Sequence, residues 1–176
     1  MKIIIGLGNP EEKHKNNRHN VGFLTVDRVQ QAASSECSWQ ENKKLSAVIC
    51  KLNVDVILAK PQTFMNASGE AVRALIREFK GKPDQLYVIH DDLDIPIGSY
   101  KIQKGKGPKL HYGLDSIDEV LGTSDYWRVR VGVDNRDPEN RTRGEQYVLQ
   151  DFTPEEQETV DEVIDKITEE VKQLIK

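Results

Sequence analysis

Three consecutive isoleucines, Ile3 to Ile5, run straight into Gly6-Leu7-Gly8-Asn9-Pro10. An unbroken apolar run this short reads as a buried strand, and the glycines and proline behind it turn the chain out into a loop. A polar stretch over residues 9–18 follows, and Val21, Leu24, Thr25 and Arg28 then continue as a helix. The order strand, loop, helix recurs along the chain. Residues 45–52 and 54–60 are β-branched runs joined through Asn53 and predict a hairpin, and a helix is expected from about Asn66 through Phe79. Leu86 to Ile89 is another buried strand, Tyr100 to Gln103 a shorter one, and Trp127 to Val133 alternates with the period of two. No repeat or low-complexity linker divides the 176 residues, so the expectation is one α/β domain with a mixed sheet.

The C-terminal helix is the most sharply drawn element. Val160, Val163, Ile164, Ile167, Val171 and Leu174 form one apolar stripe, so this helix is amphipathic. Thr153, Pro154 and Glu156 give it a cap, a first-turn proline and a capping box. The net charge of −4 belongs to this segment, because residues 151–176 hold nine acids and three lysines. The remaining body carries 22 Lys and Arg against 20 Asp and Glu, so an anionic partner is not excluded. No apolar run approaches the ~20 residues of a membrane span. A strand starting at residue 3 predicts a cytoplasmic protein, and Cys37 and Cys50, without paired spacing, are expected to be reduced thiols.

Candidate chemistry lies where strands are expected to end. Gly6-Leu7-Gly8 lacks the third glycine of a dinucleotide fingerprint, with Glu11 in its place, so the loop reads as a tight turn that presents Asn9 to a ligand carbonyl. His19, at the start of the first helix, has the titration range a general base needs. The segment His90-Asp91-Asp92-Leu93-Asp94 follows a strand, and a carboxylate from it can accept the second imidazole N–H, making a His/Asp dyad. A divalent-metal site on Asp91, Asp92 and Asp94 is the second reading of that segment. His14 and His19 lie five apart, a poor match to zinc spacing, and no metal or cofactor is expected. Phe64, Met65 and Asn66 are either core residues and a helix cap or one wall of a pocket. Lys101, Lys104, Lys106 and Lys109 sit in a glycine-containing stretch without acids, and Arg128 and Arg130 share one strand face, a pattern that suits a nucleic-acid backbone.

Taken together, GLGNP at 6–10, RHNVGF at 18–23, KPQTFMNASG at 60–69, HDDLDIPIGS at 90–99, HYGLDSI at 111–117 and WRVRVGV at 127–133 resemble the bacterial-type peptidyl-tRNA hydrolase family, in the family's order and over nearly the whole chain. The resemblance implies a single α/β domain with a twisted mixed sheet flanked by helices. It also implies a metal-free monomer that cleaves the ester between a peptide and the terminal ribose of tRNA. It makes His19 the general base, Asp91 its carboxylate partner, and Asn9 the ligand of the peptide end. Asn66 and Met65 would line the reacting centre, Phe64 would border the tRNA terminus, and Lys104, Lys106 and Arg130 would hold acceptor-stem phosphates.

The sequence also departs from the family. Glu11, His14 and Asn17 stand where a glycine, a tyrosine and a threonine are usual. Lys109-Leu110-His111-Tyr112 replaces Gly-Gly-His-Asn, so a phenol takes the place of an amide that helps bind the tRNA end and water. His14 and Tyr112 are expected, as one hypothesis, to exchange an aromatic group between neighbouring loops at the binding site. The divergence at 109–112 also motivates an alternative, an RNA-binding homologue with weak or lost hydrolysis. A third reading is a metal-dependent phosphoesterase built on the three aspartates.

Overall fold

A computed structural model describes residues 1–33 and 37–174. Seven strands form one sheet in the order β2-β3-β4-β1-β5-β7-β6. Its centre is parallel: β1 (Lys2–Gly6) lies between β4 (Val56–Pro61) and β5 (Leu86–Pro96), and β7 (Trp127–Asp134) follows β5 in the same direction. Its margins are antiparallel, with β2 (Gln40–Asn42) and β3 (Ala47–Lys51) on one side and β6 (Tyr100–Lys104) on the other. The expected mixed α/β sheet is the one found, and residues 45–60 form the expected hairpin.

The pleat sorts side chains onto two cores. Ile4, Ile89, Val129 and Val131 face helices α1 (Val21–Ala32) and α5 (Pro154–Leu174), where Val160, Ile164, Ile167 and Val171 supply the predicted stripe. Ile3, Ile5, Val88 and Ala59 face α2 (Ser68–Glu78) and α3 (Tyr112–Leu121). The capping box of α5 forms as read. The Glu156 N–H donates to Thr153 Oγ1 at 3.2 Å and the Thr153 N–H donates to Glu156 Oε2 at 2.9 Å.

Three expectations are corrected. First, β5 does not stop at Ile89. Beside β7 it continues through Asp91 and Asp92, while its pairing with β1 ends at Gly6 opposite Ile89, so Asp91 is a strand residue uncovered on one side. Second, α3 and the short α4 (Gly144–Val148) were not anticipated. Gly113 in its first turn and a histidine cap hide α3, although Leu114, Ile117 and Leu121 carry the helical spacing. Third, Cys37 and Cys50 are not free thiols but a disulfide with Cα atoms 5.8 Å apart. The β2–β3 hairpin closes their 13-residue separation, and nothing in the spacing reveals that register.

One close crossing positions the site. A Cβ on Gly6 would stand 2.2 Å from the Gly22 carbonyl oxygen, and one on Gly22 would stand 2.4 Å from that of Ile89. Two glycines therefore let the first turn of α1 rest directly on β1 and β5. The segment just ahead of it, Arg18–Asn20, is thereby brought against the strand ends.

Candidate active site

In an open α/β sheet, ligands bind at the carboxyl ends of the strands where the chain's direction of winding reverses. Here that point is β1, with β4 added on one side and β5 on the other. A cavity of about 720 Å3 opens there, and Asn9, His19, Met65, Asn66, Asp91 and His111 all line it.

His19 sits in a 3-10 turn ahead of α1, buried, with Nδ1 2.8 Å from Asp91 Oδ1. A carboxylate can only accept, so Nδ1 carries the proton and Nε2 is left as a lone pair at the cavity. Burial alone would lower the His19 pKa, but the charge and hydrogen bond of Asp91 outweigh it and the net shift is upward. Asp91 is fully buried. Burial would raise its pKa, yet His19 and His111 together hold it well below the usual carboxylate range.

His111 is the residue that the sequence reading missed as part of the centre. It caps α3, its Nδ1 accepting from the Leu114 N–H at 3.3 Å, and this leaves Nε2–H to donate to Asp91 Oδ1 at 2.9 Å. Its signal was its place in the HYGLDSI motif. The ligand-type atoms of His19, Asp91 and His111 lie within 4.8 Å of one another. Both contacts to Asp91 are nevertheless hydrogen bonds, and a His111 nitrogen that must carry a proton is not free to ligate a metal. The three-aspartate metal reading is not supported, because the carboxylates diverge. Asp92 binds Arg130 Nε at 2.7 Å and the Asp94 N–H at 2.8 Å, while Asp94 accepts the Lys109 N–H at 2.8 Å.

Asn9 is fixed from both sides. Its backbone N–H and C=O exchange 2.9 Å bonds with the amide of Asn20, a second residue not singled out in the sequence, and its Oδ1 accepts the Met65 N–H at 3.0 Å. The donor Nδ2 is thus the group left for a ligand. Asn66 is exposed and does not cap α2, whose N-cap is Ala67. Of the apolar pair, Met65 is buried whereas Phe64 is 64% exposed at the cavity rim, which removes the reading of Phe64 as core. Leu110, Tyr112 and Leu149 are exposed beside it.

The remaining candidates lie apart from this cavity or across its mouth. Tyr112 lines it and donates its hydroxyl to Glu145 of α4 at 2.5 Å. His14 does not line it. It meets Asn17 at 3.0 Å and Glu11 at 3.4 Å, whereas Tyr112 meets Glu145. Lys104 on β6 pairs with Asp125 at 3.3 Å, and Lys106 is exposed in the next loop. Arg128 and Arg130 do share a face of β7, but both are buried. Arg128 holds Asp118, and Arg130 donates Nε to Asp92 and Nη1 to Gln103.

Comparison with known proteins agrees with this geometry. The family model described as peptidyl-tRNA hydrolase matches residues 3–176. The peptidyl-tRNA hydrolase of Pseudothermotoga lettingae is 42% identical over 97% of this chain and 88% of its own length. That of Sulfurihydrogenibium sp. is 38% identical over 100% and 92%. The crystal structure of the peptidyl-tRNA hydrolase from Acinetobacter baumannii superposes with a TM-score of 0.90 at 28% identity, covering 99% of this chain and 88% of that one. A match of this extent, over a cavity that gathers His19, Asp91, Asn9 and Asn66, means that the chain belongs to the peptidyl-tRNA hydrolase family.

Proposed function

We propose that this protein hydrolyses the ester between a peptide, or an N-blocked amino acid, and the terminal ribose of tRNA, with His19 as general base. The observation that carries the reading is the His19–Asp91 bond with Nε2 turned to a cavity that Asn9 and Asn66 also line. Water bonded to Nε2 gives up its proton as its oxygen attacks the ester carbonyl carbon, and Asp91 stabilises the imidazolium that forms. Asn9 Nδ2, held as a donor by the Met65 N–H, suits the peptide carbonyl, and Asn66 suits the water or the developing oxyanion. The tetrahedral intermediate then expels the ribose oxygen, which takes the proton back from His19. Phe64 and Tyr112 at the rim offer aromatic surface to the terminal base.

Lys104 and Lys106 would meet acceptor-stem phosphates, and Arg130 retains Nη2, unpaired among the described residues, for an outside acceptor. We read the protein as a cytoplasmic monomer whose partner is tRNA. Among the described residues no helix is long and apolar enough to cross a membrane.

The test is release of an N-acetylated amino acid from tRNA with chelator present, comparing wild type with His19→Ala. Loss of a general base predicts a rate lower by about 10²–10⁴. Equal rates in the two proteins would overturn the assignment. Inert wild type that still binds tRNA in a salt-dependent way would favour the RNA-binding homologue instead.

A further inference from the structure

Behind the two histidines that hold Asp91 stands a third that the mechanism does not use. His90 is completely buried. Its Nδ1 lies 2.7 Å from the backbone carbonyl oxygen of Asp91, so Nδ1 carries the proton and donates it. Its ring meets that of His111 edge-on, with centroids 5.1 Å apart at 73°. Its Nε2, a lone pair by elimination, has no partner among the described residues.

A buried acceptor without a donor costs free energy that an apolar side chain, such as Val88 two residues earlier on the same strand face, would not. The imidazole must therefore be supplying something that a valine does not. The charged and titratable groups around it are Asp91 beside it in β5, His111 from the α3 cap, and, on β7, Arg128 and Arg130, the latter opposite His90 in the register. Desolvation first, then His111, pushes the His90 pKa down to about 3, so the ring stays neutral and Nδ1 remains its only proton-bearing nitrogen.

We propose that His90 is a positioning residue for the hydrolytic centre: it clamps the Asp91 carbonyl with one ring atom and braces the His111 ring with its edge, fixing the direction of the carboxylate that His19 and His111 share. The inference rests on the hydrolase reading above. Asp91 needs such a clamp because β1 has ended beside it, so only β7 holds its backbone from the sheet. A displacement of about 1 Å in an oriented catalytic group can cost about a hundredfold in rate.

Two variants separate positioning from packing. His90→Phe keeps the ring and loses the donor. His90→Asn offers an amide N–H close to where Nδ1–H stands and loses the ring. Both are assayed for kcat and KM on N-acetylated aminoacyl-tRNA, and the His19 imidazole is titrated by NMR in each. His90→Phe is expected to lose roughly ten- to a hundredfold in kcat with KM little changed. Its His19 midpoint should fall, because Asp91 no longer holds the imidazolium as well. His90→Asn should recover most of both. If His90→Phe matches wild type in kcat and in the His19 titration, the proposal is overturned. If both variants lose kcat only in step with melting temperature while the titration stays fixed, His90 merely packs, and the proposal again falls. Should the wild type release no amino acid, the hydrolase reading fails on its own, and the His19 titration still decides what His90 does.

Discussion

Arg18 and His19 are neighbours in one turn, and they run into two buried clusters of opposite character. Arg18 goes to the start of α5, where Nη2 meets Glu156 Oε2 at 2.5 Å and Nη1 reaches the carbonyl oxygens of Tyr147 and Gln150. Its guanidinium lies 4.0 Å from the Tyr147 ring centre and 5.5 Å from that of Phe152. Arg18 Nε is buried without a partner among the described residues, while Glu156 takes Asn135 Nδ2 at 3.1 Å and the Thr153 N–H besides Arg18. His19 goes the other way, to Asp91, and leaves one nitrogen open to the cavity. A permanently charged guanidinium held by one carboxylate and two carbonyl oxygens makes a joint. A titratable ring with one free nitrogen makes a reagent.

The largest expected effect falls on the reagent. In Asp91→Asn the carboxylate that raises the His19 pKa is gone and burial alone remains, so the midpoint of the kcat/KM profile should move from above the ordinary imidazole value of ~6.5 to below it. The maximal rate should fall by about 10²–10⁴, because nothing stabilises the imidazolium. Stability follows the same two groups. The raised His19 pKa contributes stability below ~6.5 that is lost as pH rises through its folded value, and the lowered Asp91 pKa contributes stability above ~4 that is lost as pH falls. Melting curves of wild type and Asp91→Asn should therefore differ most between roughly pH 4 and 6.5. An unchanged kinetic midpoint would show that Asp91 does not tune the base.

Glu156→Ala strands the joint. It leaves Arg18 buried without its counter-charge, for which about 3–5 kcal/mol is the expected loss in a denaturant titration. His19→Ala should cost much less stability, since Asp91 keeps His111. If His19→Ala proves as destabilising as Glu156→Ala, the distinction between joint and reagent fails.

The two clusters also differ in how visible they are in the sequence. The Thr153–Glu156 box and the stripe of α5 are local patterns, and both form as read. The strands are legible for the same reason. Arg18–Glu156 spans 138 residues and His19–Asp91 spans 72, so periodicity cannot join them. His19 and Asp91 could be paired because each has a type of side chain that hydrolysis needs and each matches a family motif. Arg18 and Glu156 have no such chemistry to announce them. His111 was hidden behind a second task, since a helix cap is not a histidine's usual place. The Cys37–Cys50 bond was hidden because it depends on the register of a three-residue strand.

Gly22→Ala acts on both clusters at once. The added Cβ would meet backbone atoms of Ile89 and Leu7 at 2.4–2.5 Å, which cannot yield as a side chain can, so α1 must lift from the sheet. Overpacking of this kind costs about 1–3 kcal/mol. Because the turn bearing Arg18 and His19 moves with the helix, melting temperature and kcat should fall together. A loss confined to one of them would show that the turn adjusts independently of α1.

The smallest effect should come from Thr153→Ala, which removes the hydroxyl that accepts the Glu156 N–H and leaves the bond from the Thr153 N–H to the Glu156 carboxylate in place. Loss of an N-cap side chain costs about 1 kcal/mol, or roughly 2–4 °C in Tm for a domain of this size. Arg18 keeps its carboxylate and His19 keeps Asp91, so kcat and its pH midpoint should match wild type. A Tm loss with an unmoved pH profile would mean that a small relaxation at the start of α5 stops at Arg18. A shifted midpoint would mean that it passes through the peptide bond joining Arg18 to His19, and that the joint also tunes the reagent.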